Sequence, residues 1–161
     1  MKNDLSVILK EIKLFLFDLD GVLVHNNNLT VQQVEEIIQE IKKFSEELSS
    51  SGLMFGIVTA RNQDELITEL GKIEKIFLIS STLEKVQAVD KLLNRVSLNY
   101  KNVFYAGDEV LDLPLLAKVG LSSAPSWAKR EVKRSVKYVL KGTSINSILN
   151  EILVLVKNVH N

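Results

Sequence analysis

Polar residues able to do chemistry stand directly behind several short apolar runs of this 161-residue chain. Asp18, Asp20 and Gly21 follow Leu14–Phe17, and Thr59 follows residues 55–58. Gly107 and Asp108 follow Val103–Ala106, with Asp112 four residues further on. Lys85 opens a helical pattern behind Ile76–Ile79, and Lys75 and Lys91 lie near enough to be alternatives. Carboxylates can serve as nucleophile, as acid or base, and as hard-oxygen ligands; a hydroxyl and an ammonium can hold an anion. Alone, Asp18-x-Asp20 would more often be a turn or a helix cap than a catalytic pair. The set in this order, each member at the end of its own apolar run, points to one site.

The elements that must position these residues are legible in the pattern. Apolar runs at 14–17, 55–58, 76–79, 103–106, 119–121 and 138–140 alternate with segments of helical period, the mark of βαβ units around a mainly parallel sheet. Between the first two runs, Val34, Ile37, Ile38, Ile41, Phe44 and Leu48 form one helical stripe, opened by Thr30 with Gln33 three residues on and closed by Gly52. Similar starts are expected at Asn62 with Glu65 and at Ser81 with Glu84. Residues 144–156 read as a last helix packed on the sheet. The expectation is a three-layer α/β, Rossmann-like fold over residues 1–161 as a single domain, with no internal repeat or linker. In such sheets ligands bind beyond the carboxyl ends of the strands, where the polar set lies.

Composition narrows the functional classes. Hydrophobic residues make up 46% and charged residues 25%, which fits a folded globular domain. With 20 basic and 20 acidic residues the formal charge is zero, so nothing favours nucleic acid or an anionic membrane as partner. The absence of cysteine removes thiol nucleophiles, disulfides and thiolate-bound metals. No leader or membrane span is read, so the expected compartment is the cytoplasm.

Together, Asp18-x-Asp20-Gly21-Val22, Thr59, a lysine and Gly107-Asp108-x-x-x-Asp112 resemble the four motifs of the haloacid dehalogenase superfamily. The resemblance implies a Mg²⁺-dependent phosphomonoesterase working through an aspartyl phosphate. Asp18 would be the nucleophile, and Asp20 the acid and then the base. Thr59, Ala60, Arg61 and Lys85 would meet the substrate. Asp18, the Asp20 backbone carbonyl and Asp108 would hold Mg²⁺, with Glu109 and Asp112 behind them. Phosphoryl transfer asks chiefly for a placed nucleophile and neutralised oxygens, which this residue set can supply.

Residues 107–116, with Val119 to Pro125 and the Tyr138-Val139 segment, also resemble the 3-deoxy-D-manno-octulosonate 8-phosphate phosphatases, which lack a cap domain. That likeness implies a small phosphorylated metabolite such as a sugar-acid phosphate as substrate. Two departures stand against carrying the family over whole. Its β-hairpin after the first motif, which builds a tetramer, is replaced by residues 23–28, which leaves homo-oligomerisation open but puts that tetramer in doubt. Its glycine-rich C-terminal stretch is replaced by residues 141–146 with one glycine. Arg61 could bind a substrate anion or be a solvated arginine at a helix start; His25 reads as exposed, Trp127 as packing near a helix start, and His160 as terminal. Other readings are a catalytically weak binding or assembly module, and a phosphatase for a nucleotide or macromolecular phosphate.

Overall fold

Alternation along the strands decides which residues meet which helices. In β1 (Leu14–Phe17), Phe15 and Phe17 face one side and Leu14 and Leu16 the other, all four fully buried. A strand buried on both faces belongs at the centre of a parallel sheet. The computed structural model, which describes residues 2–160, places it there. The other strands are β2 (Met54–Val58), β3 (Ile76–Ile79), β4 (Val103–Ala106), β5 (Leu121–Pro125) and β6 (Tyr138–Leu140). All neighbours pair in parallel in the order β3-β2-β1-β4-β5-β6. The direction of progression therefore switches between β1 and β4, the position at which such sheets open a crevice.

Helices cover both faces. The first face carries α1 (Lys2–Glu11), α2 (Val31–Ser50), α3 (Glu65–Leu70) and α7 (Ile145–His160). Its core is aromatic: Phe17 lies 5.3–5.9 Å, centroid to centroid, from Phe44, Phe55 and Phe104, and Phe44 meets Phe55 edge-on at 5.0 Å. The second face carries α4 (Lys85–Val96), α5 (Leu113–Leu116) and α6 (Arg130–Ser135), packed through Val89, Leu92, Leu115 and Val132. The three-layer α/β expectation is met. None of the described helices is long and apolar enough to cross a membrane.

The local signals match the start of α2 and differ from the structure at two other starts. Thr30 Oγ1 accepts from Gln33 N at 3.2 Å and the Gln33 side chain accepts from Thr30 N at 2.9 Å; Gly52, at φ +72°, follows the helix end. Asn62 caps nothing: the cap of α3 is Asp64, whose Oδ1 accepts from Ile67 N at 2.9 Å. Ser81 is no cap either, because its φ of +55° lies outside the extended region a cap occupies. Its N–H instead binds the Arg61 carbonyl at 2.9 Å, and α4 starts behind Glu84. The fifth strand begins at Leu121 rather than 119, since Val119 and Gly120 still belong to the turn after α5, with Gly120 packed against the Lys101 carbonyl. Residues 2–11, for which the sequence pattern predicts no element, form α1.

The connections at the crevice are short. Between β1 and α2 the chain makes turns and one bridge, Asp20 to Val24, with no hairpin. The β1–β2 and β2–β3 connections hold one helix each, α2 and α3, both packed on the first face, so neither forms a cap.

Candidate active site

Asp18 stands one residue beyond β1, where its N–H donates to the Ala106 carbonyl at 2.9 Å and so extends the pairing with β4 at the switch point. Its Oδ1 accepts from Leu19 N at 2.8 Å, and its Oδ2 lies 3.2 Å from Lys85 Nζ. Lys85 is the first residue of α4, is only 4% exposed, and also donates to Asp112 Oδ1 at 2.7 Å and to Tyr105 Oη at 3.2 Å. The Tyr105 hydroxyl donates to the same Asp112 oxygen at 2.6 Å. The other Asp112 oxygen, Oδ2, accepts from the backbone N–H groups of Asp108 and Glu109 at 3.0 and 3.1 Å. Of the three candidate lysines, Lys85 alone reaches this centre; Lys75 and Lys91 are exposed.

Carboxylate oxygens of Asp18, Asp108 and Asp112 lie within 4.8 Å of one another in buried surroundings. Asp112 has both oxygens engaged by Lys85, Tyr105 and two N–H groups, so it holds the Asp108 loop in place. Asp108 Oδ1, by contrast, is buried without a hydrogen-bond partner, an arrangement that costs about 1–3 kcal/mol unless something occupies that direction. The backbone comes close to the same carboxylate. Gly21 sits at φ +87°, and a Cβ there would fall 2.0 Å from Asp108 Oδ2. Clustered hard oxygens, one of them unpaired, fit a divalent cation of the magnesium type.

Electrostatics of the cluster agree. Burial, reinforced by Asp112 and Asp108, pushes the Asp18 carboxyl up to about 7 against the opposing pull of Lys85. Burial, with Asp112 and Glu109, pushes Asp108 up to about 6. A cation in their midst would reverse both shifts.

The remaining predicted residues surround this core. Thr59 follows β2, two residues past the Phe17–Ile57 pair, and is 1% exposed. Its Oγ1 accepts from Arg61 N at 3.1 Å, which leaves the hydroxyl proton free to point elsewhere. Ala60 is half-buried beside it. Arg61 is not a solvated arginine: its side chain is 12% exposed, with Nη1 on Asp20 Oδ1 and Nε on Asp64 Oδ2, both at 2.6 Å. Glu109 lies at the exposed rim, paired with Lys129 at 2.6 Å.

Three further residues join the site without a signal in the sequence pattern. Tyr105 fits an apolar strand, although a buried phenol two residues before Gly107 must find a polar partner. Trp127 was read as packing, yet its Nε1 donates to the Gly21 carbonyl at 2.8 Å and its ring meets His25 edge-on at 4.6 Å. Asp64, which the sequence pattern does not single out, caps α3 and holds Arg61.

A family model for haloacid dehalogenase-like hydrolases matches residues 71–152, half of the chain. The chain belongs to this family. The haloacid dehalogenase-like match contains Lys85, Asp108 and Asp112, while Asp18, Asp20 and Thr59 lie outside it and join the site through the sheet. The 3-deoxy-D-manno-octulosonate 8-phosphate phosphatase of Salmonella typhi is 27% identical over 128 residues, which take in 71% of this chain and 63% of the relative's length. Among solved structures, a probable yrbI-family phosphatase of Pseudomonas syringae is 26% identical with a TM-score of 0.82, over 99% of this chain and 92% of that one. A 3-deoxy-D-manno-octulosonate 8-phosphate phosphatase of Moraxella catarrhalis, crystallised with magnesium, phosphate and KDO, superposes with a TM-score of 0.82 over 99% of this chain and 93% of that one. At 20% identity, that last likeness is one of fold.

Proposed function

We propose that this haloacid dehalogenase-like chain is a Mg²⁺-dependent phosphomonoesterase for a small phosphorylated metabolite, with sugar-acid phosphates as the leading class. One observation carries the reading: Asp18 lies at the switch point between a buried lysine and a second carboxylate that has an unpaired oxygen. The names of the related proteins supply the substrate class.

Asp18 attacks phosphorus, an Asp18–phosphorus bond forms, and the bond from phosphorus to the alcohol oxygen breaks. Asp20 gives its proton to the departing oxygen. Water then attacks the aspartyl phosphate, Asp20 takes the water proton, and phosphate leaves with Asp18 regenerated. Lys85 and the Thr59 hydroxyl hold the phosphoryl oxygens in place, and Arg61 Nη2 remains to meet a substrate anion. Asp18, Asp108 and the Asp20 carbonyl would hold Mg²⁺, which neutralises charge on the transferred group when bound.

Purified protein with Mg²⁺ should hydrolyse p-nitrophenyl phosphate, and Asp18→Asn should leave less than about one part in a hundred of that rate, of the order expected for loss of an essential catalytic group. EDTA should abolish the activity and added Mg²⁺ restore it. Undiminished turnover by Asp18→Asn would overturn the mechanism.

A further inference from the structure

Asp20 stands in the turn after β1, where its backbone bridges Val24, and 38% of its side chain is exposed. A group that must deliver a proton to one oxygen needs to be held. The structure provides the hold from another element. Arg61 Nη1 donates to Asp20 Oδ1 at 2.6 Å across 41 residues of sequence. Arg61 is in turn fixed by Asp64, whose Oδ2 accepts from Nε at 2.6 Å while its Oδ1 caps α3 through Ile67 N at 2.9 Å. The Arg61 backbone N–H is bound to Thr59 Oγ1, so the arginine is anchored at both ends. The planar guanidinium presents Nε and Nη1 in fixed directions, and a lysine could not hold the same two carboxylates in that geometry. Burial works against the Arg61 charge, but Asp64 and Asp20 outweigh it and push the guanidinium further up. Burial likewise works against the Asp64 charge, but the Ile67 N–H and Arg61 outweigh it and hold the carboxyl below its usual range.

We propose that Asp64 is a positioning residue that acts through Arg61 to aim the Asp20 carboxyl at the leaving-group oxygen. With Oδ1 tied to Arg61, the other Asp20 oxygen carries the transferred proton. The start of α3 is thereby part of the machinery without touching substrate. The inference rests on the phosphomonoesterase reading above.

Asp64→Asn separates the two functions of the residue, because asparagine caps a helix as well as aspartate does but offers no second oxygen to Arg61 Nε. The readout is kcat/KM with Mg²⁺ for two esters, an alkyl phosphate whose departing oxygen needs a proton and 2,4-dinitrophenyl phosphate whose departing oxygen does not. Misplacing a general acid should cost the alkyl ester about 10–100-fold, part of the 10²–10⁴-fold that such a group supplies. The dinitrophenyl ester should stay within about 2-fold, and the variant should still unfold in one cooperative transition well above the assay temperature. Asp64→Ser, which also caps but cannot reach Arg61, should repeat the pattern.

Equal losses on both esters, or no loss on either, would overturn the proposal, as would a selective loss in Asp64→Asn that Asp64→Ser fails to repeat. If the wild type hydrolyses neither ester, the phosphomonoesterase reading fails and this inference fails with it. If the wild type is active and Asp18→Asn is dead while Asp64→Asn behaves as wild type, only the positioning role is lost.

Discussion

Lys85→Met tests the electrostatic core of the site most directly, because it removes the one ammonium among Asp18, Asp112 and Tyr105 while keeping an unbranched stem in a buried slot. Breaking a buried ion pair by deleting one partner typically costs about 3–5 kcal/mol. The penalty should depend on pH in a predictable direction. In the metal-free protein Asp18 and Asp108 are raised to about 7 and about 6, above their values in the unfolded chain. Carboxyls raised in this way stabilise the fold below their unfolded value, near 4, and lose that contribution as pH rises through the folded value.

At pH 5.5 both groups largely hold their protons, so a missing ammonium matters less. At pH 8.5 both are ionised, and the mutant must accommodate clustered negative charge alone. Each pKa unit by which losing Lys85 lifts Asp18 further adds about 1.4 kcal/mol to the difference. Urea unfolding of both proteins at the two pH values, with EDTA, should show a penalty at pH 8.5 larger by about 1–3 kcal/mol than at pH 5.5. Mg²⁺ at 100 times its Kd should return about 2.7 kcal/mol at pH 8.5. A penalty equal at the two pH values, or larger at pH 5.5, would refute the charge argument and leave only a packing defect.

Two further outcomes concern the cation. Gly21→Ala forces a side chain into backbone at φ +87° and against Asp108 Oδ2; the conformational strain costs about 1–2 kcal/mol, and Mg²⁺ affinity measured by titration calorimetry should fall at least about 10-fold, whereas unchanged affinity would remove Asp108 from the ligand set. Because Asp18 and Asp108 are partly protonated near neutrality, Mg²⁺ binding at pH 6.5 should release protons; the heat of binding should then vary with buffer ionisation enthalpy, and a buffer-independent heat would contradict the raised values.

How far the sequence revealed this arrangement depended on which interactions are local. Strands β1, β3, β4 and β6 were bounded correctly because each is a run of apolar residues cut off by polar ones. The Thr30–Gln33 box was legible because both of its bonds span three residues. Asn62 and Ser81 offered the same local spacing, but tertiary bonds took precedence. Asp64 bonds Arg61 while capping α3, and the Ser81 N–H is taken by the Arg61 carbonyl. Both misread starts thus flank the same arginine, where the chain builds its site rather than its helices. Tyr105 was hidden differently, since a tyrosine in an apolar run satisfies the strand pattern whether or not its hydroxyl has work to do.

The parallel sheet explains why residues so far apart in sequence can act together. Pairing β1 with β4 puts Asp18 beside the Gly107-Asp108 turn, and pairing β1 with β2 brings Thr59 to the other side of the β1 end. Neither juxtaposition needs a loop to fold over. Asp20 is different, because it stands three residues beyond β1, where its backbone bridges only Val24 and no neighbouring strand holds it. Its only ion-pair partner among the described residues is Arg61, whose own placement depends on Asp64. On the proposed mechanism, Asp18 as nucleophile is positioned by the sheet and Asp20 as acid by a side-chain chain, so perturbing α3 should change leaving-group dependence before it changes the fold.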